Sequence, residues 1–360
     1  MKRVAIDRSP EGDDGVILVW VALMLVALVG MGALVIDIGA LYVERRELQN
    51  GADAAALAVA QDCVAGDCGS GGGAVQAQKY ANLNANDGVS AVDPSTPCGV
   101  GPGLAGCGTD APSGASGATG WVRVDTSTKD PDGGSEVSFL LAPVISSLTG
   151  KTVTASAVAA WGPMGGGAVV PLVFSECEWK AMGGVLPSGD PDDPDYEPGQ
   201  LPEFEKTVTF HGTNPESVAC GVGPSGLDLP GGFGRVDAEN CEKELTSGDW
   251  ADVDTGADLA ADCDVQSWRG REIVIAIFDE TNGENGANGA YHIVGFAGFE
   301  VLGYRIVSSR GGGGVQKYGS CTPDSPSDQY LCGKFTGVSK NGGTFGTGPD
   351  FGARIIKMVG

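Results

Sequence analysis

Val16-Ile17-Leu18-Val19-Trp20-Val21-Ala22-Leu23-Met24-Leu25-Val26-Ala27-Leu28-Val29-Gly30-Met31-Gly32-Ala33-Leu34-Val35-Ile36 carries no charge, and with Gly15 it fills the interval between Asp14 and Asp37. Wound as an α-helix at 1.5 Å per residue, the run is about 31 Å long, matching the ~30 Å hydrocarbon core of a bilayer. The length predicts a membrane span. A cleaved secretory signal is the competing reading, but its apolar core is usually about 7–15 residues. The best small-residue exit here, Gly39-Ala40, is preceded by Ile38 where a small residue is wanted. A buried helix of a soluble domain is rarely apolar on every face over such a length.

Beyond Asp37-Ile38-Gly39 the helix is expected to continue, because Ala54-Ala55-Ala56-Leu57-Ala58 is strong helix-forming sequence. Leu41, Leu48, Ala52, Ala55 and Val59 fall on one stripe at three- and four-residue steps, interrupted by Arg45. Such a stripe reads first as a face docked on the protein's own domain and second as a face for helix-to-helix assembly. Gly51 costs about 1 kcal/mol inside a helix, and a bend is expected there. Asp37 is read as a helix-end charge that fixes depth, with Tyr42 as its interfacial anchor, and a contact with a partner is the alternative. Trp20 is read as an interfacial aromatic.

Orientation rests on two counts. Lys2, Arg3 and Arg8 precede the span and Arg45 and Arg46 follow it, a slight excess favouring a cytoplasmic N-terminal tail over residues 1–14. The cysteines point the same way. Cys63, Cys68, Cys98, Cys107, Cys177, Cys220, Cys241, Cys263, Cys321 and Cys332 all follow the span, are even in number and form no Cys-x-x-Cys pair. That pattern fits disulfides in an oxidising, extracytoplasmic compartment better than zinc or thioredoxin-type chemistry. Spacing does not give the connectivity, although Cys63 with Cys68, Cys98 with Cys107 and Cys321 with Cys332 are near enough in sequence to be paired.

Composition agrees with an exported, single-pass protein. The chain has 60 Gly and 20 Pro among its 360 residues and a formal charge of −24. Those values describe a loop-rich, β-leaning surface. An acidic surface repels nucleic-acid phosphates and anionic lipid headgroups alike, so no nucleic-acid partner is expected and the helix is left as the membrane contact. About 320 residues outside the bilayer can bury one large core or two small ones.

Downstream, residues 74–83 read as a short helix and 87–120 as a loop rich in Gly, Pro, Ser and Ala. Residues 121–125 and 152–158 alternate as strands, and 137–148 is an apolar strand or short helix broken by Pro143. These elements make residues 63–161 a membrane-proximal α+β region, following the span and its helix at 15–62. After the glycines of 162–167 comes a cysteine-containing β-rich region, 168–360, with an exposed acidic loop at 186–202. Residues 272–278 and 291–296 are expected to pair as a hairpin across the turn signals Asn282-Gly283, Asn285-Gly286 and Asn288-Gly289, with 301–307 extending the sheet. The fold class expected is α+β: a long N-terminal transmembrane helix running on into a further helix, then a disulfide-stabilised, β-rich extracytoplasmic head.

Val35-Ile36-Asp37-Ile38-Gly39, Leu41-Tyr42, Arg45-Arg46-Glu47-Leu48-Gln49-Asn50 and Ala52-Asp53-Ala54-Ala55-Ala56-Leu57-Ala58, together with the apolar span, resemble the N-terminal signature of TadE/TadG-like proteins of the Tad (Flp, type IVb) pilus assembly system. Pro230-Gly231-Gly232-Phe233-Gly234, Tyr291-His292-Ile293-Val294-Gly295-Phe296 and the spaced cysteines are more loosely similar to the longer extracytoplasmic domains of some TadG-like proteins. The resemblance implies a bitopic cell-envelope protein that helps to build, anchor or cap a pilus, with other Tad pilus-assembly proteins or pseudopilin-like helices as partners and no enzymatic activity. Prepilin-like members carry a Gly followed five residues on by Glu. Trp20 stands at that place after Gly15, so the resemblance implies a retained, TadG-like anchor rather than a processed stem. The alternative from another class is a free-standing, membrane-anchored surface adhesin or binding module.

Residue chemistry offers little for catalysis. His211 and His292 are the two histidines, and neither a His-Glu-x-x-His nor a Gly-x-Ser-x-Gly pattern occurs. His292 lies in an apolar strand and is read as structural. The Gly-x-Gly-x-x-Gly matches at Gly101, Gly103, Gly106 and at Gly221, Gly223, Gly226 join no strand to a helix, so no cofactor is expected. Asp252-Val253-Asp254-Thr255-Gly256-Ala257-Asp258 and the Asp279, Asn282, Glu284, Asn285 turn carry oxygen ligands of the kind calcium takes, yet both are read as solvated loop charge and no metal is assigned.

Overall fold

The computed structural model describes residues 14–66, 68, 72–108, 110–188, 197, 199–203, 205–209, 233–236, 238, 241–253, 263–282, 289–307, 314–317, 321 and 329–359. The chain opens with α1 (Asp14–Val64), 51 residues of uninterrupted helix. Gly51 produces no break in it. A Cβ at Gly51 would stand 3.2 Å from the Ala81 carbonyl oxygen, so the glycine lets α2 (Gly72–Asn84) lie backbone to backbone on α1.

Strands β1 (Ala91–Val92) and β2 (Cys98–Val100) occupy the stretch expected to be loop, and both pair with β3 (Gly120–Ser127). The next segment leaves the sheet. Strands β4 (Val137–Ser138) and β5 (Gly150–Lys151) pair with each other at the foot of an excursion whose tip is α3 (Ala142–Ile145), with Pro143 in its first turn, where a missing N–H costs nothing. The chain then returns as β6 (Thr154–Val169), which pairs antiparallel with β3 along its first half. The glycines of 162–167, expected to separate two regions, are part of this strand.

In the second half of the chain β7 (Leu172–Ser175) leads into α4 (Glu176–Ala181), followed by β8 (Lys206–Thr209), β9 (Phe233–Arg235), β10 (Lys243–Thr246) and β11 (Trp250–Asp252). A 3₁₀ turn at Val265–Trp268 precedes the hairpin of β12 (Glu272–Thr281) and β13 (Ala290–Ile306), which takes in both the strand at 291–296 and its extension at 301–307. Then come β14 (Gly314–Gln316), β15 (Tyr330–Thr336), β16 (Val338–Asn341), β17 (Thr344–Phe345) and β18 (Ala353–Met358).

Among the described residues two large sheets form. The first has the order β1-β3-β6-β18-β16, with β2 on β3 and β10 and β17 on β6; the second runs β8-β15-β13-β12-β7-β9, with β11 and β14 on β13. The C-terminal strands β16 and β18 thus belong to the same sheet as the strands of residues 120–161, and the two expected regions are interleaved. On one face of the first sheet, Val122, Val124, Ala157, Ala159, Trp161 and Ile356 pack against Ala52, Ala55, Ala56, Val59 and Ala60 of α1 and Ala77 of α2. The facing side chains Met164, Val169 and Ile355 meet Val173, Val274, Ala276, Phe278 and Ile293 of the second sheet. Ile273, Ile275 and Ile277 point the other way, into a core closed by Trp179 of α4 and by Val265 and Trp268. The described residues thus form two stacked sheets, with α1 and α2 on the outer face of the first and the short α4 and the 3₁₀ turn against the outer face of the second. Strand β12 is apolar on both faces because both are covered, which is why Ile273-Val274-Ile275-Ala276-Ile277-Phe278 lacks the alternation of a half-exposed strand.

Candidate functional site: the apolar helix and its junction with the head

Helix α1 has two environments along one axis. Ile17–Val64 contains a stretch long and apolar enough to cross a membrane. From Ile17 to Ile36 its side chains are exposed apart from buried Ala33, with Gly30 partly covered. Trp20 is on this exposed part. Past the boundary the helix is taken up by the head: of Leu41, Leu48, Ala52, Ala55 and Val59, expected as one stripe, Leu41 is half-buried and the other four are buried, Ala52, Ala55 and Val59 completely. Small side chains suit this interface, since the helix axis can approach the sheet closely where alanines face it. The stripe is therefore occupied by the protein's own α2 and first sheet. Tyr42 remains exposed on the outward face, with the Arg46 guanidinium 5.0 Å from its ring centroid.

Polar contacts fasten the junction. The Thr126 hydroxyl donates to the Leu48 carbonyl at 3.0 Å, Gln49 Nε2 donates to the Ser156 carbonyl at 3.1 Å, and Asn86 N donates to Glu47 Oε2 at 2.8 Å. At the far end, Arg354 of β18 donates from Nη1 to the Val64 carbonyl at 2.7 Å while its Nε holds Asp350. A cation on the last free carbonyls of a helix satisfies them and complements the helix dipole. Burial pushes the Glu44 carboxyl above its ordinary range; the Thr128 hydroxyl opposes this, and the charges of Glu47 and Asp87 add to it.

Asp37 corrects an expectation. It is not a solvated helix-end charge, but is buried, with its two carboxylate oxygens accepting backbone N–H bonds from the excursion: Leu140 N to Oδ1 at 2.9 Å, Ala142 N to Oδ2 at 2.6 Å, and Leu141 N to both at 3.4 and 3.3 Å. Its partner is the backbone of the same chain, about a hundred residues on. Sequence reasoning missed Leu140, Leu141 and Ala142 because a backbone donor has no side-chain signature. The available signal was the absence of charge between Glu136 and Lys151.

Disulfides join Cys63 to Cys68, Cys98 to Cys107 and Cys321 to Cys332, the three pairs that proximity in sequence allows, and Cys241 to Cys263. Cys177 is also disulfide-bonded. Cys220 lies outside the described residues, as do His211, Asp254, Asp258, Glu284, Asn285 and the acids at 190, 192, 193 and 195.

Of the acid-rich turns, the described part of the second is tied into the hairpin. Asn282 Oδ1 accepts from Ala290 N at 2.6 Å, and Asp279 Oδ1 lies 2.8 Å from His292 Nδ1. Two register shifts between Ile277 and Glu280 leave Asp279 without a cross-strand partner. With Glu280 it brings two carboxylates beside His292, ligand atoms within 4.8 Å of one another. Trp250 closes over the imidazole, ring centroids 5.2 Å apart. A bulge re-aims side chains at a strand end, and here it turns Asp279 toward His292.

A long N-terminal apolar helix of spanning length that merges into a disulfide-bonded, β-rich head is the arrangement of a single-pass membrane protein. Residues 15–62 match the family model described as putative Flp pilus-assembly TadE/G-like, and the match coincides with the span and the docked part of α1, which identifies this segment as TadE/TadG-like. No match to the chain was found among curated proteins or among solved structures.

Proposed function

We infer that the chain is a membrane-retained structural component of a Tad/Flp pilus assembly or secretion system, with its N-terminal side in the cytoplasm and its head outside. One observation carries the reading: the TadE/G-like match at residues 15–62 falls on the helix that is apolar enough to span and that continues into the head without a break. The disulfides support an oxidising compartment for the head. The role is structural rather than enzymatic. Helix α1 anchors, the outward face at Tyr42, Val43 and Arg46 is the part left for other pilus-assembly helices, and the head presents a contact surface. Trp20 in the fifth place after Gly15 supports retention rather than processing. Deleting the gene and imaging surface pili tests the reading: pili should be lost or sparse and return with the wild-type chain. Unchanged pili with adhesion alone lost would overturn it in favour of a free-standing adhesin.

A further inference from the structure

Residues 137–150 form a second apolar segment without charge, Val137-Ser138-Phe139-Leu140-Leu141-Ala142-Pro143-Val144-Ile145-Ser146-Ser147-Leu148-Thr149-Gly150, framed by exposed Glu136 and Lys151. Its position is fixed by Asp37, the first residue beyond the uncharged run of α1, whose carboxylate holds the N–H groups of residues 140–142. The segment also lies along α1, which meets both β4 and α3. Ala33, buried and on the same helical face as Asp37, is about 6 Å deeper along the axis. Burial on that face therefore extends inside the apolar run, at the level of hydrocarbon if α1 spans.

Two further features suit a lipid environment. Leu140 and Leu148 are 71% and 60% exposed, matching the span itself, where Leu18 is 72% and Leu28 64% exposed. Non-helical backbone at membrane depth needs its polar groups satisfied internally. Here Phe139 N donates to Thr149 O at 2.9 Å, residues 140–142 donate to Asp37, Pro143 has no N–H, Ser146 N donates to Ala142 O at 2.8 Å, and Leu148 N donates to Ser146 Oγ at 3.3 Å. The N–H groups of residues 139–142, 146 and 148 are thus held inside the protein.

We propose that residues 137–150 insert into the head-side leaflet beside α1, giving the head a second, monotopic hold on the bilayer with Asp37 as the polar pin between the two apolar elements. The occupant of this exposed face is lipid acyl chain, by continuity with the lipid-facing surface of the span. The proposal rests on the reading of α1 as a membrane helix and is tested so that the two can fail separately. The full chain, carrying Leu140→benzoylphenylalanine or Leu148→benzoylphenylalanine, is reconstituted in phosphatidylcholine/phosphatidylglycerol vesicles, with Leu28→benzoylphenylalanine as span control and Leu83→benzoylphenylalanine on the outward face of α2 as water control; all four side chains are exposed and leave the core untouched. Photolysis should give lipid adducts at 140 and 148 in yields like that at 28 and several-fold above that at 83. Yields at 140 and 148 no higher than at 83, with 28 still labelled, would overturn the insertion alone, as would adducts to a second protein chain in place of lipid. Absence of lipid adducts at 28 would overturn the membrane-helix reading and the insertion together.

Discussion

Gly51 and Glu44 show how single positions on α1 record what the head demands of the helix. The glycine was expected to bend the helix and instead admits α2, whose Ala81 backbone lies where a side chain would go. Gly51→Val therefore forces the two helices apart, at a cost of about 1–3 kcal/mol for overpacking. Thermal unfolding of the detergent-solubilised full chain should show a lower midpoint, while Gly39→Val, with nothing within 4 Å of its Cβ, should change little. Glu44 makes a pH-dependent prediction. Burial raises its carboxyl in the fold, so the group favours the folded state below the ordinary value of 4.5, and that contribution is lost as pH rises through the raised value. Glu44→Gln keeps an acceptor for Thr128 and cannot ionise. Its melting midpoint relative to the wild type should accordingly be higher at pH 7 than at pH 4, and a difference independent of pH would refute the assignment.

At the scale of elements, the junction depends on a carboxylate bridging two segments distant in sequence. Asp37→Asn replaces one accepting oxygen with an NH2 group that donates toward other donors. The amides of Leu140 and Ala142 should then exchange with solvent faster, while those of β3 and β6 keep their protection; equal exchange at 140–142 in both proteins would show that the carboxylate is not the pin. How legible each element was follows from what its pattern depends on. The span, α2 and the β12–β13 hairpin were readable because helix and strand periodicity and turn residues are local signals. The excursion at 137–151 was readable only as an apolar stretch interrupted by Pro143, since its conformation depends on Asp37 and not on its own periodicity. Strands β1 and β2 were hidden in loop-like composition, held by pairing to β3 and by the Cys98–Cys107 bond.

Across the whole molecule, the class was legible and the topology was not. An apolar run of bilayer length, ten cysteines after it and alternating strands specify an α+β, disulfide-bonded head on a helix. Nothing local announces that β18 inserts beside β6, because Arg354-Ile355-Ile356 carries no mark of the partner it will choose, so the glycines of 162–167 looked like a linker. Only the packing gives the reason they are in a strand: a Cβ at Gly165 would lie 2.6 Å from the Phe345 carbonyl oxygen, and one at Gly162 3.0 Å from Ala118. The placement of β18 also orders events in time. Ile356 completes the same core that receives Ala52 and Ala55, and Arg354 caps the Val64 carbonyl. The seat for α1 is thus completed by a strand whose Arg354 lies 290 residues beyond Val64, so the helix gains its full set of contacts only after β18 has been made.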